Sequence, residues 1–242
     1  MERWDRLHCG WRFYFDDTLF PPGTDTFLLS AFPRLKPGQR VCDLGSGTGL
    51  LSLLLLAREP ALSVTGVELQ EGALALAEKA AAENGLTEHL AFLRADLRRL
   101  EGPLPAGSFD LTVCNPPYFR EGSGFLSRGA DRQTARAELS CTLEEVCRAA
   151  ARLTRWGGSF CLVYRPERLT DLLCALRDAG LEPKRLRAVC ARAGAAPSLF
   201  LAEGRRGGRP GLAVEPPLIL THADGSPTAE ADAVYFRDTE RS

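Results

Sequence analysis

The sequence predicts an α/β fold built on a mostly parallel sheet. Short apolar runs alternate with helical stretches from Val41 to Tyr164, the order produced by strands joined through crossover helices. A glycine-rich turn, Gly45-Ser46-Gly47-Thr48-Gly49, joins the first of these strands to the first helix. A double proline in Asn115-Pro116-Pro117-Tyr118 ends the apolar run Leu111 to Cys114 abruptly, because proline has no N–H to give to a ladder.

The elements follow in order. Residues 1–40 form an arm rich in aromatics, including Trp4, Trp11, Phe13, Tyr14, Phe15 and Phe20, expected to pack on a ligand site of the domain formed by residues 41–242. Val41 to Leu44 reads as a strand and Thr48 to Arg58 as an apolar helix. Ser63 to Glu68 is a second strand. Glu71 to Asn84 is an alanine-rich helix, which Gly85 closes as its C′ residue. Leu90 to Leu93 and Phe109 to Cys114 are further strands. A polar loop, Phe119 to Ala137, leads to a helix over Leu139 to Leu153 and a strand over Ser159 to Tyr164. Pro166 begins another helix that stops at Gly180. Leu186 to Val189, Leu199 to Ala202 and Leu212 to Leu220 read as strands, so the end of the chain predicts an antiparallel edge.

Composition bounds the function classes. A chain of 242 residues, 45% hydrophobic and 25% charged, fits one domain with a substantial core rather than a disordered chain. The longest apolar stretch, Leu50 to Ala57, contains Ser52 and is far too short to span a membrane. The first residues lack the apolar core of a signal peptide. Eight cysteines occur with only three histidines and no Cys-x-x-Cys pair; Cys42, Cys114 and Cys161 fall in buried strands. These features predict reduced thiols, a cytoplasmic protein and no metal site. The net charge of −1 hides a basic segment, Lys184 to Arg209, with seven basic residues against Glu203, and an acidic one, Glu215 to Glu240, with six acids against Arg237.

Chemistry concentrates at strand ends. The glycine turn permits tight turning and close approach of a ligand, and it opens a helix whose first N–H groups are unpaired. Glu68, about twenty residues on at the end of the second strand, can accept ribose hydroxyls. Dinucleotide dehydrogenases share this geometry, and a tight turn without ligand is the plainest alternative. The spacing Gly-x-Gly-x-Gly and the acid Asp43 oppose a pyrophosphate and suit a cationic amino-acid ligand. Asn115 and the Pro116 carbonyl offer acceptors, and Tyr118 a flat ring, for a planar nitrogen nucleophile.

The tetrapeptide Asn115-Pro116-Pro117-Tyr118 resembles the active-site motif of S-adenosylmethionine-dependent amino-methyltransferases. Asp43 to Gly49 with Glu68 resembles the cofactor motif of Rossmann-like methyltransferases. The resemblance implies a seven-stranded, mostly parallel sheet with an antiparallel edge strand. It implies S-adenosylmethionine held by Asp43, Gly45, Gly47, Gly49 and Glu68, with Asp96 and Leu97 at the adenine ring and Asn115 at the methyl end. Asp96 also fits an ordinary helix cap. Thr24 and Asp25, after Gly23, are implied to close the methionine end. Asn115, Pro116 and Tyr118 would carry the catalysis, with no general base, because the attacking amine is neutral.

Families sharing this active site methylate adenine N6, guanine N2 of ribosomal RNA, or a glutamine amide of release factors. The glutamine enzymes carry a helical domain ahead of the catalytic one, and DNA enzymes a target-recognition domain; neither is visible here. Across nearly its full length the chain is similar to the bacterial tRNA(Val) adenine N6-methyltransferases, which modify the adenine 3′ of the anticodon. The shared features include Gly23-Thr24-Asp25, Ala135-Arg136-Ala137-Glu138, Pro216-Pro217-Leu218 and Tyr235-Phe236. Ala137 departs from the histidine usual in that family. The resemblance implies tRNA, through its anticodon loop, as partner. Arg120, Arg128, Arg132 and Arg136, with Lys184 and Arg185, are the candidate phosphate-binding rim. A protein-glutamine or ribosomal RNA methyltransferase, a non-catalytic RNA- or nucleotide-binding module, and a nicotinamide oxidoreductase are the competing readings.

Overall fold

The computed structural model describes residues 2–16, 23–100, 104–116 and 141–237. Tyr118, Arg120, Arg128, Arg132 and Arg136 lie outside them. The chain opens with a hairpin of β1 (Glu2–Arg6) and β2 (Arg12–Asp16), followed by α1 (Thr24–Ala31). Then come β3 (Arg40–Leu44), α2 (Leu50–Arg58), β4 (Ser63–Glu68), α3 (Glu71–Glu83), β5 (Leu90–Arg94) and β6 (Phe109–Cys114). The second half holds α4 (Leu143–Leu153), β7 (Thr154–Tyr164), α5 (Leu169–Asp178), β8 (Leu181–Arg192), β9 (Pro197–Arg206), β10 (Ala213–Thr221) and α6 (Ala229–Val234).

The main sheet has the order β10-β8-β9-β7-β6-β3-β4-β5. It is mostly parallel, as expected, but with eight strands rather than seven. The antiparallel strand is not at the edge. β9 runs antiparallel to both β7 and β8, and β10 pairs parallel with β8 to form the outermost strand. A four-residue connection between Arg192 and Pro197 lets β8 return directly as β9, whereas a parallel neighbour needs a crossover, so the reversed strand is drawn inside.

Side chains alternate across the strands into two cores. Val41, Val64, Leu111, Val113 and Val163 pack with α1, α2 and the hairpin on one face. Cys42, Val67, Phe160 and Leu162 pack with α4 and α5 on the other. Cys42, Cys114 and Cys161 are buried with free thiols, as expected of small apolar residues in strands. α2 is buried along nearly its whole length, Ser52 included, consistent with its many leucines. Thr142 and Glu145 form a reciprocal capping box that starts α4. Gly85 follows α3 with φ +67°, the left-handed conformation that closes it. Among the described residues no helix is long and apolar enough to cross a membrane.

The hairpin seats on the C-terminal half of α3. Asn84 clasps the Arg12 backbone, its Oδ1 accepting from N at 2.8 Å and its Nδ2 donating to O at 2.7 Å. Lys79 meets Glu2 at 2.6 Å, and the Tyr14 hydroxyl meets Glu83. Part of the tail's basic segment is paired with acids, because β8 lies between β9 and β10. Arg185 bonds Glu203 and Glu215 at 2.7 Å each and lies over the Phe32 ring. Arg187 pairs with Glu230 at 2.6 Å.

The side chain of Arg185 is only 13% exposed and that of Glu203 only 7%. Removing one member of such a cluster leaves an unpaired buried charge. Arg185→Ala is expected to lower unfolding free energy by about 3 kcal/mol in urea denaturation. A loss below about 1 kcal/mol would place the cluster with exposed ion pairs instead.

Candidate functional site

The carboxyl ends of β3, β4, β5 and β6 stand side by side, because Leu44 pairs with Val67, Glu68 with Arg94 and Asp43 with Val113. The chain turns one way from β3 to β4 and β5, and the other way from β6 to β7. The crevice left at such a reversal is where open α/β sheets take their ligands. A cavity of about 470 Å³ lies there, within the size range of small-molecule sites.

Its first wall is the glycine turn. The Gly45 and Ser46 N–H groups both donate to the Val67 carbonyl, at 2.8 and 3.0 Å, anchoring the turn to the end of β4. Gly45 and Gly47 have φ of +69° and +54°, and a Cβ on either would meet nothing within 4 Å. These two glycines therefore leave backbone bare to the cavity. Gly49 is different. A Cβ there would stand 2.8 Å from the Phe92 ring and 3.1 Å from the Ala77 Cβ. Gly49 is required for packing against α3 and β5, and it does not line the cavity.

Glu68 is locked by backbone. Its Oε2 accepts from the Gly47 N–H at 2.9 Å, and its Oε1 accepts from Leu69 and Gln70 N–H at 2.8 and 2.7 Å. A carboxylate so held reaches into the cavity without further ordering cost. Asp43 is 1% exposed and accepts from the Ser52 hydroxyl of α2 at 2.7 Å. Burial pushes its carboxyl up to about 7; the Ser52 hydrogen bond opposes this, and the Glu68 charge adds to it.

Asp96 caps a short 3₁₀ turn, Leu97–Arg99, through the Arg98 N–H. The cap reading of Asp96 is thus realised, and its carboxylate is also gripped by the Arg98 guanidinium at 2.8 to 3.1 Å. That hydrogen bonding holds Asp96 below the usual carboxylate range. Asp96 and Leu97 both line the cavity.

Asn115 and Pro116 line the opposite wall at the end of β6. The start of α1 closes the remaining side with Gly23, Asp25 and Thr26; Thr24, expected there, does not line the cavity. The hairpin part of the arm sits on α3, so within the described arm only the α1 end reaches the site. The lining carries four acids, Asp25, Asp43, Glu68 and Asp96, against Arg165 as its one described basic residue. Such a lining suits a cation and opposes a pyrophosphate.

Thr26 and Arg165 are among the lining residues that the sequence analysis did not name as site residues. Thr26 Oγ1 accepts from Asn115 Nδ2 at 3.0 Å, from 89 positions away. Arg165 directly follows β7, at the same sheet end as Asn115. Taking the residue after every parallel strand as a candidate would have found Arg165; nothing in the sequence announces Thr26.

Lys184 and Arg185, expected in the rim, do not line the cavity. Arg185 is consumed by its two glutamates, and Lys184 donates to the Arg209 carbonyl at 3.1 Å. Antiparallel β9 carries Arg206 to the start of β7, where it bonds the Arg152 and Thr154 carbonyls, at the far end of the sheet. Tertiary pairing, invisible in a charge count, disperses this segment.

Residues 17–170 match the family described as methyltransferase small domain. The chain is 30% identical over 222 residues to the tRNA1(Val) (adenine(37)-N6)-methyltransferase of Tolumonas auensis, covering 89% of this chain and 90% of that protein. It is 33% identical over 173 residues to the protein of the same name from Aeromonas hydrophila, covering 71% of each. Among solved structures, a predicted O-methyltransferase from Agrobacterium tumefaciens superposes with TM-score 0.71 at 22% identity, over 88% of this chain and 95% of that one. That likeness shows a shared Rossmann-like methyltransferase fold. The chain therefore belongs to the methyltransferase small domain family, with tRNA1(Val) (adenine(37)-N6)-methyltransferases among its relatives.

Proposed function

We propose that the chain is an S-adenosylmethionine-dependent methyltransferase that modifies the N6 amino group of an adenine in tRNA, at the position 3′ of the anticodon. The observation that carries the reading is the placement of Asn115 and Pro116 against a cavity whose other walls are the bare glycine turn and the acids Asp43 and Glu68. The relatives named for adenine-37 methylation support the acceptor.

The lining fits the cofactor. S-adenosylmethionine supplies a methyl group on a sulfonium, and it brings an ammonium group as well. Asp25 and the Asp43–Ser52 pair lie on the side suited to those cations, beside the open backbone of Gly45 and Gly47. Glu68 is preset to accept ribose hydroxyls. Asp96 retains lone-pair directions for an adenine amino group beyond its bonds to Arg98, with the Leu97 backbone beside it.

Asn115 Oδ1 and the Pro116 carbonyl act as acceptors for the two N–H bonds of the attacking amino group. Those bonds hold the nitrogen in line and favour the positive charge that develops on it. Tyr118 would stack on the base, a contact worth about 1–3 kcal/mol. The product ammonium is acidic and loses its proton to water, so no side chain need serve as base. An anticodon loop presents an unpaired adenine at lower cost than a duplex. The arginines between Arg120 and Arg136 are the phosphate contacts this reading uses.

The decisive experiment offers unmodified tRNA, ribosomal RNA, DNA and release factor side by side with radiolabelled cofactor, and identifies the product by nucleoside mass spectrometry. N6-methyladenosine in tRNA is the expected product; label on a glutamine or on guanine N2 overturns the reading. Asn115→Ala is expected to lower methyl transfer by about 100-fold or more while cofactor affinity stays within a few-fold. Equal loss of both would make Asn115 a structural residue.

A cation binds best beside an ionised Asp43. Cofactor affinity by calorimetry is therefore expected to rise from pH 5.5 through about 7, where the carboxyl loses its proton, and to level off above that. Asp43→Asn should weaken binding and flatten that slope; an unchanged slope removes Asp43 from the binding step.

A further inference from the structure

Asn115 is bonded through its amide nitrogen. Nδ2 donates to Thr26 Oγ1 at 3.0 Å, and both residues line the cavity. An asparagine amide has one acceptor end and one donor end. The amino group of an adenine brings two N–H donors to this wall, so only the oxygen end is productive. Rotation of the amide by half a turn would present a donor to a donor.

Thr26 holds the amide in the first of these two orientations, with Nδ2 on its hydroxyl oxygen. It is the third residue of α1, its N–H bonds back to the Gly23 carbonyl at 3.2 Å, and it is 7% exposed. The cap position of α1 is Gly23, with no side-chain cap bond, so the Thr26 hydroxyl is not spent on starting the helix. Its β-branched side chain also has few rotamers in a helix, which keeps the oxygen where Nδ2 meets it. Asp25, the preceding residue, lines the same cavity.

From this geometry we propose that Thr26 is a positioning residue for methyl transfer: its hydroxyl oxygen holds Asn115 Nδ2 and thereby turns Asn115 Oδ1 toward the attacking amino group. The proposal rests on the reading of Asn115 as the acceptor for that group, and it adds the residue that sets the acceptor's orientation.

Thr26→Val keeps the shape and removes the oxygen. It is expected to lower kcat for tRNA methylation about tenfold or more, with KM for tRNA and the dissociation constant for S-adenosylmethionine each within about threefold. Thr26→Ser, which restores the oxygen, should return kcat to within about threefold of the parent. A second series uses Asn115→Asp, whose carboxylate has an acceptor on both branches and needs no orientation. In that background Thr26→Val should change kcat by less than about twofold.

A Val variant with parental kcat overturns the proposal. So does a loss shared equally by the Ser variant, or a fall in kcat matched by the fall in cofactor affinity, since each describes packing rather than orientation. Thermal denaturation of each variant separates a folding defect from these outcomes. The parental enzyme reports on the underlying reading separately: transfer to an acceptor other than adenine would overturn that reading, and the Thr26 series would then be measured on that acceptor.

Discussion

Parallel pairing of β3 with both β4 and β6 is the constraint on which the site depends. It brings the ends of three strands within one cavity width and leaves a crevice where the connections diverge. Each end then contributes a different group: a bare backbone turn after β3, a carboxylate at the end of β4, an amide after β6. None of the three is close to another in sequence. A shift of one residue in any of these registers would turn the inward set of side chains to the opposite face and dismantle the site together with the core.

The cavity is an electrostatic arrangement as much as a shape. Asp43 is driven into the interior, where water cannot stabilise its charge, and Glu68 stands near enough to add to the penalty. Such a carboxyl is held in a destabilised state that a bound cation relieves. Glu68 is held differently, by three backbone N–H groups on its oxygens. The site thus separates two acids of one cavity by their hydrogen bonds: one is anchored, and the other is left sensitive to what binds.

The tail shows the opposite use of charge. Arg185, Glu203 and Glu215 come together across three neighbouring strands and are consumed in holding the late part of the sheet. Their burial makes them part of the architecture and keeps them away from the cavity. A run of basic residues along a strand says little about a binding face until the partner strand is known, because alternate residues point to opposite sides and acids across the ladder can neutralise them.

Much of this protein was legible in its residues. The order of strands and helices follows from hydrophobic period and turn residues. Asp43, Gly45, Gly47, Glu68 and Asn115 could be placed at the ligand end of the sheet because strand ends are marked locally by glycine, proline and acids; Asp96 was named through the family resemblance. What depends on contacts between distant segments was not legible. The inward position of β9, the packing role of Gly49, the neutralised Arg185 and the bond from Thr26 to Asn115 each join residues that the chain itself keeps far apart. Local sequence determined which groups stand at each strand end, through short-range sterics and backbone hydrogen bonding. Only the tertiary structure decided which of them meet, and which charges are spent before any ligand arrives, because pairing and burial are properties of the assembled sheet.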